Sequence, residues 1–142
     1  MVNYYMTSGT FEGEIEFHFD YTETLSAIIF NATLKPSHYA FLFKHLPYTV
    51  ERMETMIAEI KSDKNSATFT KQTKELTFED FYNKYDEKAL SSKKKTLIRW
   101  NNMTKAARVK AFMYINKYFQ NLPSGTRKKY AETYLNSEIW EG

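Results

Sequence analysis

Residues 88–131 have the sequence KALSSKKKTLIRWNNMTKAARVKAFMYINKYFQNLPSGTRKKYA, which contains twelve Lys or Arg residues and no Asp or Glu. Apolar residues recur between the charges at the spacing of helix faces, as Trp100, Ala107, Ala111 and Ile115 do. A disordered basic tail would lack these aromatic and apolar residues, because it builds no core. The stretch therefore predicts folded helices with a cationic outer surface.

The charge is divided unequally along the chain, whose 142 residues carry a formal net charge of +3. Residues 1–76 hold seven basic and ten acidic residues, whereas residues 77–142 hold thirteen basic and seven acidic ones. We therefore predict two subdomains, a small α+β subdomain over 1–76 and a basic helical subdomain over 77–142. The positive charge of the second subdomain favours an anionic partner.

The first subdomain has the pattern of a small antiparallel sheet. Residues 14–21 alternate strictly between apolar and polar side chains, which predicts a strand with one buried face. The residues of that face are Ile15, Phe17, Phe19 and Tyr21. Residues 25–31 are predicted to complete a hairpin, buried on both sides or at least packed more tightly than the first strand. Residues 67–71 predict an edge strand.

Two helices are expected to cover this sheet. The first begins at Pro36, since proline is tolerated in a first helical turn, and it ends before Pro47. Thr49 is a good N-cap for a second helix that ends near Ile60. The polar residues 61–66 predict an exposed loop after it.

Four helices are predicted in the second subdomain. The first is expected to begin at Thr77, the second after Ser91 or Ser92, and the third after Thr104. The last begins at Thr126 and ends near Asn136. The predicted fold class is therefore α+β: a hairpin plus an edge strand with two helices, followed by a basic four-helix region.

Two basic triplets, Lys93–Lys95 and Arg127–Lys129, each fall in a predicted first helical turn. Cations there oppose the helix dipole, whereas an anion bound there meets both ammonium groups and unpaired backbone N–H groups. This arrangement favours contact with a polyanion, although a solvated surface that aids solubility also explains it. The candidate nucleic-acid-binding residues are Lys93, Lys94, Lys95, Arg99, Arg108, Lys110, Arg127, Lys128 and Lys129.

The aromatic residues of the basic region could stack on bases only if they were exposed. Tyr114, Tyr118, Tyr130 and Tyr134 are spaced as residues of helix faces, so we predict that each packs in the core. Trp100 is likewise expected to be a packing residue.

Catalytic and metal-binding patterns are missing from the sequence. It has no cysteine, no Gly-rich phosphate loop and no hydrolase or zinc-protease motif, and its three histidines lack ligand spacing. The alternation of residues 14–21 explains the acidic residues Glu14, Glu16 and Asp20 as the solvent-exposed face of a strand, and not as a metal or catalytic site. We therefore expect a protein without enzymatic activity, cofactor or metal. With neither a leader nor a membrane span in view, we expect it in the cytoplasm.

The C-terminal part resembles a known module. The block Phe78-x-x-Phe81-x-x-x-Tyr85, the basic helix with Trp100, and the ending from Tyr130 to Glu141 are similar to the C-terminal module of bacteriophage replication proteins of the primosomal and helicase-loader type. The resemblance spans about residues 77–141. It implies a phage or prophage protein that acts in DNA replication, in the host cytoplasm or a virion.

Two functions are expected from these observations. The first is an accessory protein that binds nucleic acid, DNA rather than RNA, through its basic helical face, with a replication adaptor as one form of that role. The alternative is a protein-interaction module, either a virion component or an inhibitor of a host factor. The preference for single or double strands and the oligomeric state stay open.

Overall fold

A computed structural model describes residues 1–62, 67–86 and 92–142. The chain divides into two compact units, Met1–Glu75 and Leu76–Gly142. Most of the predicted loop over 61–66 lies outside the described residues, as does Lys88 of the basic stretch.

The first unit is a four-stranded antiparallel sheet with two helices. Its strands pair in the order β3-β2-β1-β4. The elements are β1 (Val2–Ser8), β2 (Phe11–Phe19), β3 (Leu25–Thr33), α1 (Pro36–Lys44), α2 (Val50–Ser62) and β4 (Thr68–Thr73).

The core of this unit lies on one face of β1 and β2, where alternate side chains are buried because side chains of a strand point to opposite faces. It is completed by the apolar stripe of α2 and by one residue of α1. Its buried residues are Val2, Tyr4, Met6, Ile15, Phe17, Phe19, Leu42, Met53, Met56, Ile57 and Ile60.

The sheet differs from the sequence prediction in two respects. Strand β1 was not predicted, although it lies between β2 and β4 and Val2, Tyr4 and Met6 alternate along it. The double burial predicted for residues 25–31 is absent, because β3 is an edge strand whose Ile29 and Phe30 remain exposed.

A side-chain contact joins β1 to α2. The Tyr4 hydroxyl donates to the carboxylate of Glu54, whose other close neighbour is the Lys71 ammonium at 3.3 Å. The hydrogen bond from Tyr4 lowers the pKa of Glu54, and burial raises the pKa of Tyr4. The contact therefore ties the helix to the sheet in the ionised state of Glu54.

Strand β2 passes very close to β3 at Gly13. Gly13 pairs with Ala32 and has φ +94°, a left-handed conformation that L side chains rarely adopt. A Cβ atom there would lie 2.2 Å from the carbonyl oxygen of Asn31. Glycine is therefore required at this position.

The second unit is helical. Its elements are α3 (Phe78–Tyr85), α4 (Lys93–Asn101), α5 (Lys105–Asn121), α6 (Ala131–Ser137) and a 3₁₀ turn (Ile139–Glu141). As predicted, the side chains of Thr77, Ser92 and Thr104 cap the first three helices by accepting a backbone N–H. The predicted α+β class and the helical C-terminal region are thus confirmed.

Aromatic rings form the core of the second unit. Tyr134 is fully buried, and its ring centroid lies 5.1 Å from that of Tyr85 and 5.2 Å from that of Tyr118. Phe81 stacks on Trp100 with 5.1 Å between ring centroids. These contacts fix how α3, α4, α5 and α6 pack. No helix among the described residues is long and apolar enough to cross a membrane.

Candidate nucleic-acid interface

The first basic triplet occupies the first turn of α4, as predicted. The Ser92 hydroxyl accepts the N–H of Lys95 at 3.2 Å, so that amide is already satisfied. Lys93 lies toward α3, with its Nζ 3.1 Å from a carboxylate oxygen of Glu79. Because this ion pair is exposed, it contributes little to stability. Lys94 and Lys95 are exposed, and neither side chain has a partner among the described residues.

The second basic triplet precedes a helix instead of beginning one. The prediction of a helix from Thr126 was wrong, because α6 begins only at Ala131. Arg127, Lys128 and Lys129 therefore lie in the connection that follows the turn at Gly125. Their charges do not oppose the dipole of α6 from within its first turn.

This connection is held by hydrogen bonds between its backbone and side chains of the core, and not by the backbone hydrogen bonds of a helix. The N–H of Lys129 donates to the hydroxyl oxygen of Tyr118 over 2.8 Å, and the Tyr85 hydroxyl donates to the carbonyl of Lys129. The backbone N–H and C=O of Lys129 are thus both satisfied by core side chains and need no partner in a helical turn.

Lys128 is directed inward from the connection. Its ammonium donates to the carbonyls of Tyr85 and Asp86 at the C-terminal end of α3, where a cation is favourable. The same ammonium lies 4.9 Å from the ring centroid of Tyr85 and 5.0 Å from that of Phe119. Lys128 therefore contributes to the fold.

Arg108 performs the same task for α4. Its Nε donates to the carbonyl of Trp100 over 2.9 Å, and its Nη2 donates to the carbonyl of Asn101 over 3.2 Å. Its guanidinium carbon lies 5.4 Å from the Trp100 ring centroid. The first residues of α5 thus cap the end of the preceding helix.

Two further predicted contacts pair with acids near the C-terminus. Arg99, whose side chain is 28% exposed, lies 3.1 Å from a carboxylate oxygen of Glu138 and also donates to the carbonyl of Leu135. Lys110 pairs with Glu141 at 3.1 Å, and both of these side chains are about half exposed. Arg99 therefore belongs to the packing of α4 on α6, whereas Lys110 stays accessible.

The nine predicted residues thus fall into three groups. Lys94, Lys95, Arg127 and Lys129 are exposed without a side-chain partner among the described residues, and we call these four the exposed cations. Lys93 and Lys110 are in exposed ion pairs. Arg99, Arg108 and Lys128 hold backbone carbonyls of the second unit.

Both triplets contact the same helix. The ammonium of Lys93 lies 5.2 Å from the ring centroid of Tyr82, and that of Lys128 lies 4.9 Å from that of Tyr85. Tyr82 and Tyr85 are three residues apart in α3, so they are neighbours on its surface. Two sequence segments that are separated by about thirty residues therefore converge on one helix of about 12 Å length.

The aromatic residues follow the sequence prediction with one exception. Trp100, Tyr118 and Tyr134 are buried and Tyr114 is partly buried. Tyr130, however, is 42% exposed, and the prediction that it packs in the core was wrong. Its position in the extended connection, and not on a face of α6, accounts for the difference.

Sequence reasoning also missed Lys84, a residue of α3. Its ammonium lies 4.2 Å from the ring centroid of Phe112, and burial lowers its pKa. The four-carbon stem of lysine allows this partial burial, which a charge pattern alone does not reveal. Lys84 is partly buried and is therefore not one of the candidate phosphate contacts.

Metal-ligating side chains do not converge in the described part of the chain. No group of three or more His, Cys, Asp or Glu residues in 1–62, 67–86 and 92–142 is arranged to hold an ion. Among the acidic residues of β2, the carboxylate of Glu16 lies 3.5 Å from the imidazole Nε2 of His18, its neighbour on the outer face of the strand.

Comparison with known proteins relates the second unit to a named domain. Residues 73–138 match the family model of the C-terminal domain of the Legionella vir region protein LvrA. The match covers just under half of the chain and falls almost entirely on the second unit. Neither a curated protein nor a solved structure matches the chain. The similarity therefore concerns the helical part of the protein.

The internal position of Lys128 leads to a stability prediction. Lys128→Ala removes a charged donor from two carbonyls at the end of α3, so we expect the free energy of unfolding to fall by about 2 kcal/mol. Lys129→Ala, one residue away and exposed, should change it by less than about 0.5 kcal/mol. Urea unfolding followed by tryptophan fluorescence measures both, because Trp100 and Trp140 belong to the second unit. Equal losses would show that Lys128 has no special structural role.

Proposed function

We propose that this protein binds nucleic acid, DNA rather than RNA, through the second unit and without catalysis. The supporting observation is that each basic triplet contacts α3 through one lysine and leaves its other two cations exposed. The exposed cations are Lys94, Lys95, Arg127 and Lys129. Phosphate groups are the ligands that such cations recognise without regard to sequence.

Electrostatics favours an anionic ligand at α4 in particular. Three lysines in the first turn oppose the helix dipole, and only Lys93 has an acidic partner among the described residues. An arriving phosphate would reverse the sign of this interaction. The connection before α6 offers Arg127 and Lys129 on a backbone that is already held by hydrogen bonds, so less ordering is needed on binding.

The biological setting follows from the sequence resemblance. Residues 77–141 resemble the C-terminal module of phage replication proteins, which supports a phage or prophage accessory role in the host cytoplasm. A replication adaptor that joins DNA to replication proteins is one form of this role. The first unit would then be free to contact a protein partner.

Binding measured as a function of salt tests the proposal. The double variants Lys94→Gln/Lys95→Gln and Arg127→Gln/Lys129→Gln should each weaken DNA binding about tenfold at low salt. Each should also flatten the plot of log affinity against log salt by about 0.7–0.9 for every phosphate that the variant no longer neutralises. Fluorescence anisotropy with labelled DNA, and with RNA as competitor, gives both quantities.

A matched control removes two charges elsewhere. Lys44→Gln/Lys61→Gln changes two exposed lysines of the first unit and should leave affinity and salt slope as in the wild type. The proposal fails if both double variants bind as the wild type does, or if the wild type shows no binding at low salt.

A second candidate function has its own supporting observation. The C-terminal part of α1 and the residues after it expose aromatic side chains, with Phe43 68% and Tyr48 51% exposed. Exposed aromatic residues are enriched at protein interfaces. If DNA binding is absent, a protein-interaction module takes its place, as a virion component or an inhibitor of a host factor. A partner retained after nuclease treatment would support it.

A further inference from the structure

Tyr130 stands apart from the other aromatic residues of the second unit. It is the one aromatic side chain that is exposed among the described residues of 76–142. Every other ring in that part of the chain is buried or partly buried. Within the described residues, the Tyr130 ring contacts no other ring and its hydroxyl makes no hydrogen bond.

The backbone that presents this ring is fixed on both sides. On one side, the N–H of Lys129 donates to the Tyr118 hydroxyl and the carbonyl of Lys129 accepts from the Tyr85 hydroxyl. On the other, the carbonyl of Tyr130 accepts the N–H of Tyr134 at 2.8 Å and begins α6. An exposed ring on an ordered backbone loses little conformational entropy when it makes a contact.

Two exposed cations closely precede Tyr130 in the chain. Lys129 precedes Tyr130 directly, and Arg127 lies three residues before it, and both are exposed cations. A positive groove combined with an aromatic platform is the arrangement by which proteins hold single strands, since every base has a π face. In a duplex those faces are covered by neighbouring bases, so a protein ring cannot reach them unless the stack is opened.

We infer that Tyr130 stacks on an unpaired base of a single strand whose phosphates contact Arg127 and Lys129. This inference rests on the proposed function and narrows it, because it names unpaired nucleic acid as the preferred ligand. Stacking adds affinity to the phosphate contacts without adding sequence specificity.

Four probes separate stacking from charge. The first is a fluorescein-labelled DNA strand of about 12 thymidines, and the second is an RNA strand of uridines of the same length. The third is an abasic strand with the same number of phosphates, and the fourth is a blunt duplex. The wild type should bind the thymidine strand more tightly than the abasic strand or the duplex. The uridine strand shows whether the same site accepts RNA.

Three substitutions test the ring itself. Tyr130→Ala should weaken binding of the thymidine strand about fivefold or more and should leave binding of the abasic strand unchanged. Tyr130→Phe keeps the π face and should bind as the wild type does. Tyr130→Leu keeps a large apolar side chain but has no π face, so it should bind as weakly as Tyr130→Ala. It therefore tests stacking separately from any loss of stability in the alanine variant.

Two controls complete the design. Tyr39→Ala removes a tyrosine of α1 that is 37% exposed and should have no effect on any probe. Arg127→Gln/Lys129→Gln should weaken binding to the thymidine and abasic strands alike. Together the controls show whether a loss belongs to Tyr130 or to tyrosines and charge in general.

The outcomes distinguish stacking from nucleic-acid binding as such. If Tyr130→Ala and Tyr130→Leu bind the thymidine strand as the wild type does while Arg127→Gln/Lys129→Gln is weakened, stacking is refuted and the proposed function stands. If the wild type binds the abasic strand or the duplex as tightly as the thymidine strand, the preference for unpaired bases is refuted. If no probe binds at low salt, both proposals fall.

Discussion

Replacing Tyr134 with alanine is expected to lower the free energy of unfolding by about 3–5 kcal/mol, the range for loss of a fully buried aromatic side chain. The ring of Tyr134 contacts those of Phe81, Tyr85, Tyr118 and Trp140, with centroid distances between 5.1 and 6.2 Å. Its removal leaves a cavity at the junction of four elements. The Tyr134 hydroxyl also donates to the carbonyl of Ala111 over 2.7 Å, and that acceptor would lose its donor.

Tyr134→Phe separates the ring from the hydroxyl. It keeps the packing and removes one buried hydrogen bond, so we expect a loss of about 1 kcal/mol. Urea unfolding followed by tryptophan fluorescence is suited to both variants, because the two tryptophans lie in the second unit. A Tyr134→Ala loss no larger than that of the phenylalanine variant would contradict the ring cluster as the centre of this core.

Replacing Gly13 with alanine is expected to cost at least about 3 kcal/mol, although only one methyl group is added. The new Cβ would lie 2.2 Å from the Asn31 carbonyl oxygen and 2.7 Å from the Ala32 Cα, both backbone atoms of β3. Neither atom can move without breaking the pairing of β2 with β3. The left-handed φ of +94° adds strain for any L side chain.

Gly125→Ala is the matched control for Gly13→Ala. Gly125 also has a left-handed φ, +79°, but a Cβ there meets nothing within 4 Å. Its cost should therefore be the backbone strain alone, about 1–2 kcal/mol. Thermal unfolding followed by circular dichroism compares the two variants. If the two variants lose the same stability, close approach of β2 to β3 is not what requires glycine at Gly13.

The sequence predicted the helical region better than the sheet, for a physical reason. Thr77, Ser92 and Thr104 are local signals, since a capping side chain bonds to an amide three residues away. The position of a strand within a sheet depends on remote partners. Val2, Tyr4 and Met6 alternate, but only pairing with β2 and β4 makes β1 a central strand.

The start of the last helix shows the same limit. Thr126 is an acceptable N-cap by its type, yet α6 begins five residues later, at Ala131. The connection is held by hydroxyls of Tyr85 and Tyr118, which are remote in sequence. Local preferences of residues 126–130 contain no information about those donors and acceptors.

The candidate site was predictable as a region and not residue by residue. Composition alone identified the acid-free basic stretch. Whether a given cation faces solvent depends on tertiary contacts, as with Lys128 at the end of α3 and Arg108 at the end of α4. Both were predicted as phosphate contacts, and both hold carbonyls of the fold.

The three residues of the second triplet differ in their contacts, and this difference has an evolutionary consequence. Lys128 fixes the segment to α3, whereas the side chains of Arg127 and Lys129 form no hydrogen bond or ion pair with the described residues. Substitutions at the two outer positions can therefore change the charge of this surface during evolution while Lys128 preserves the fold. Each such substitution is expected to change the free energy of unfolding by less than about 0.5 kcal/mol, so the charge of the unit can evolve independently of its stability.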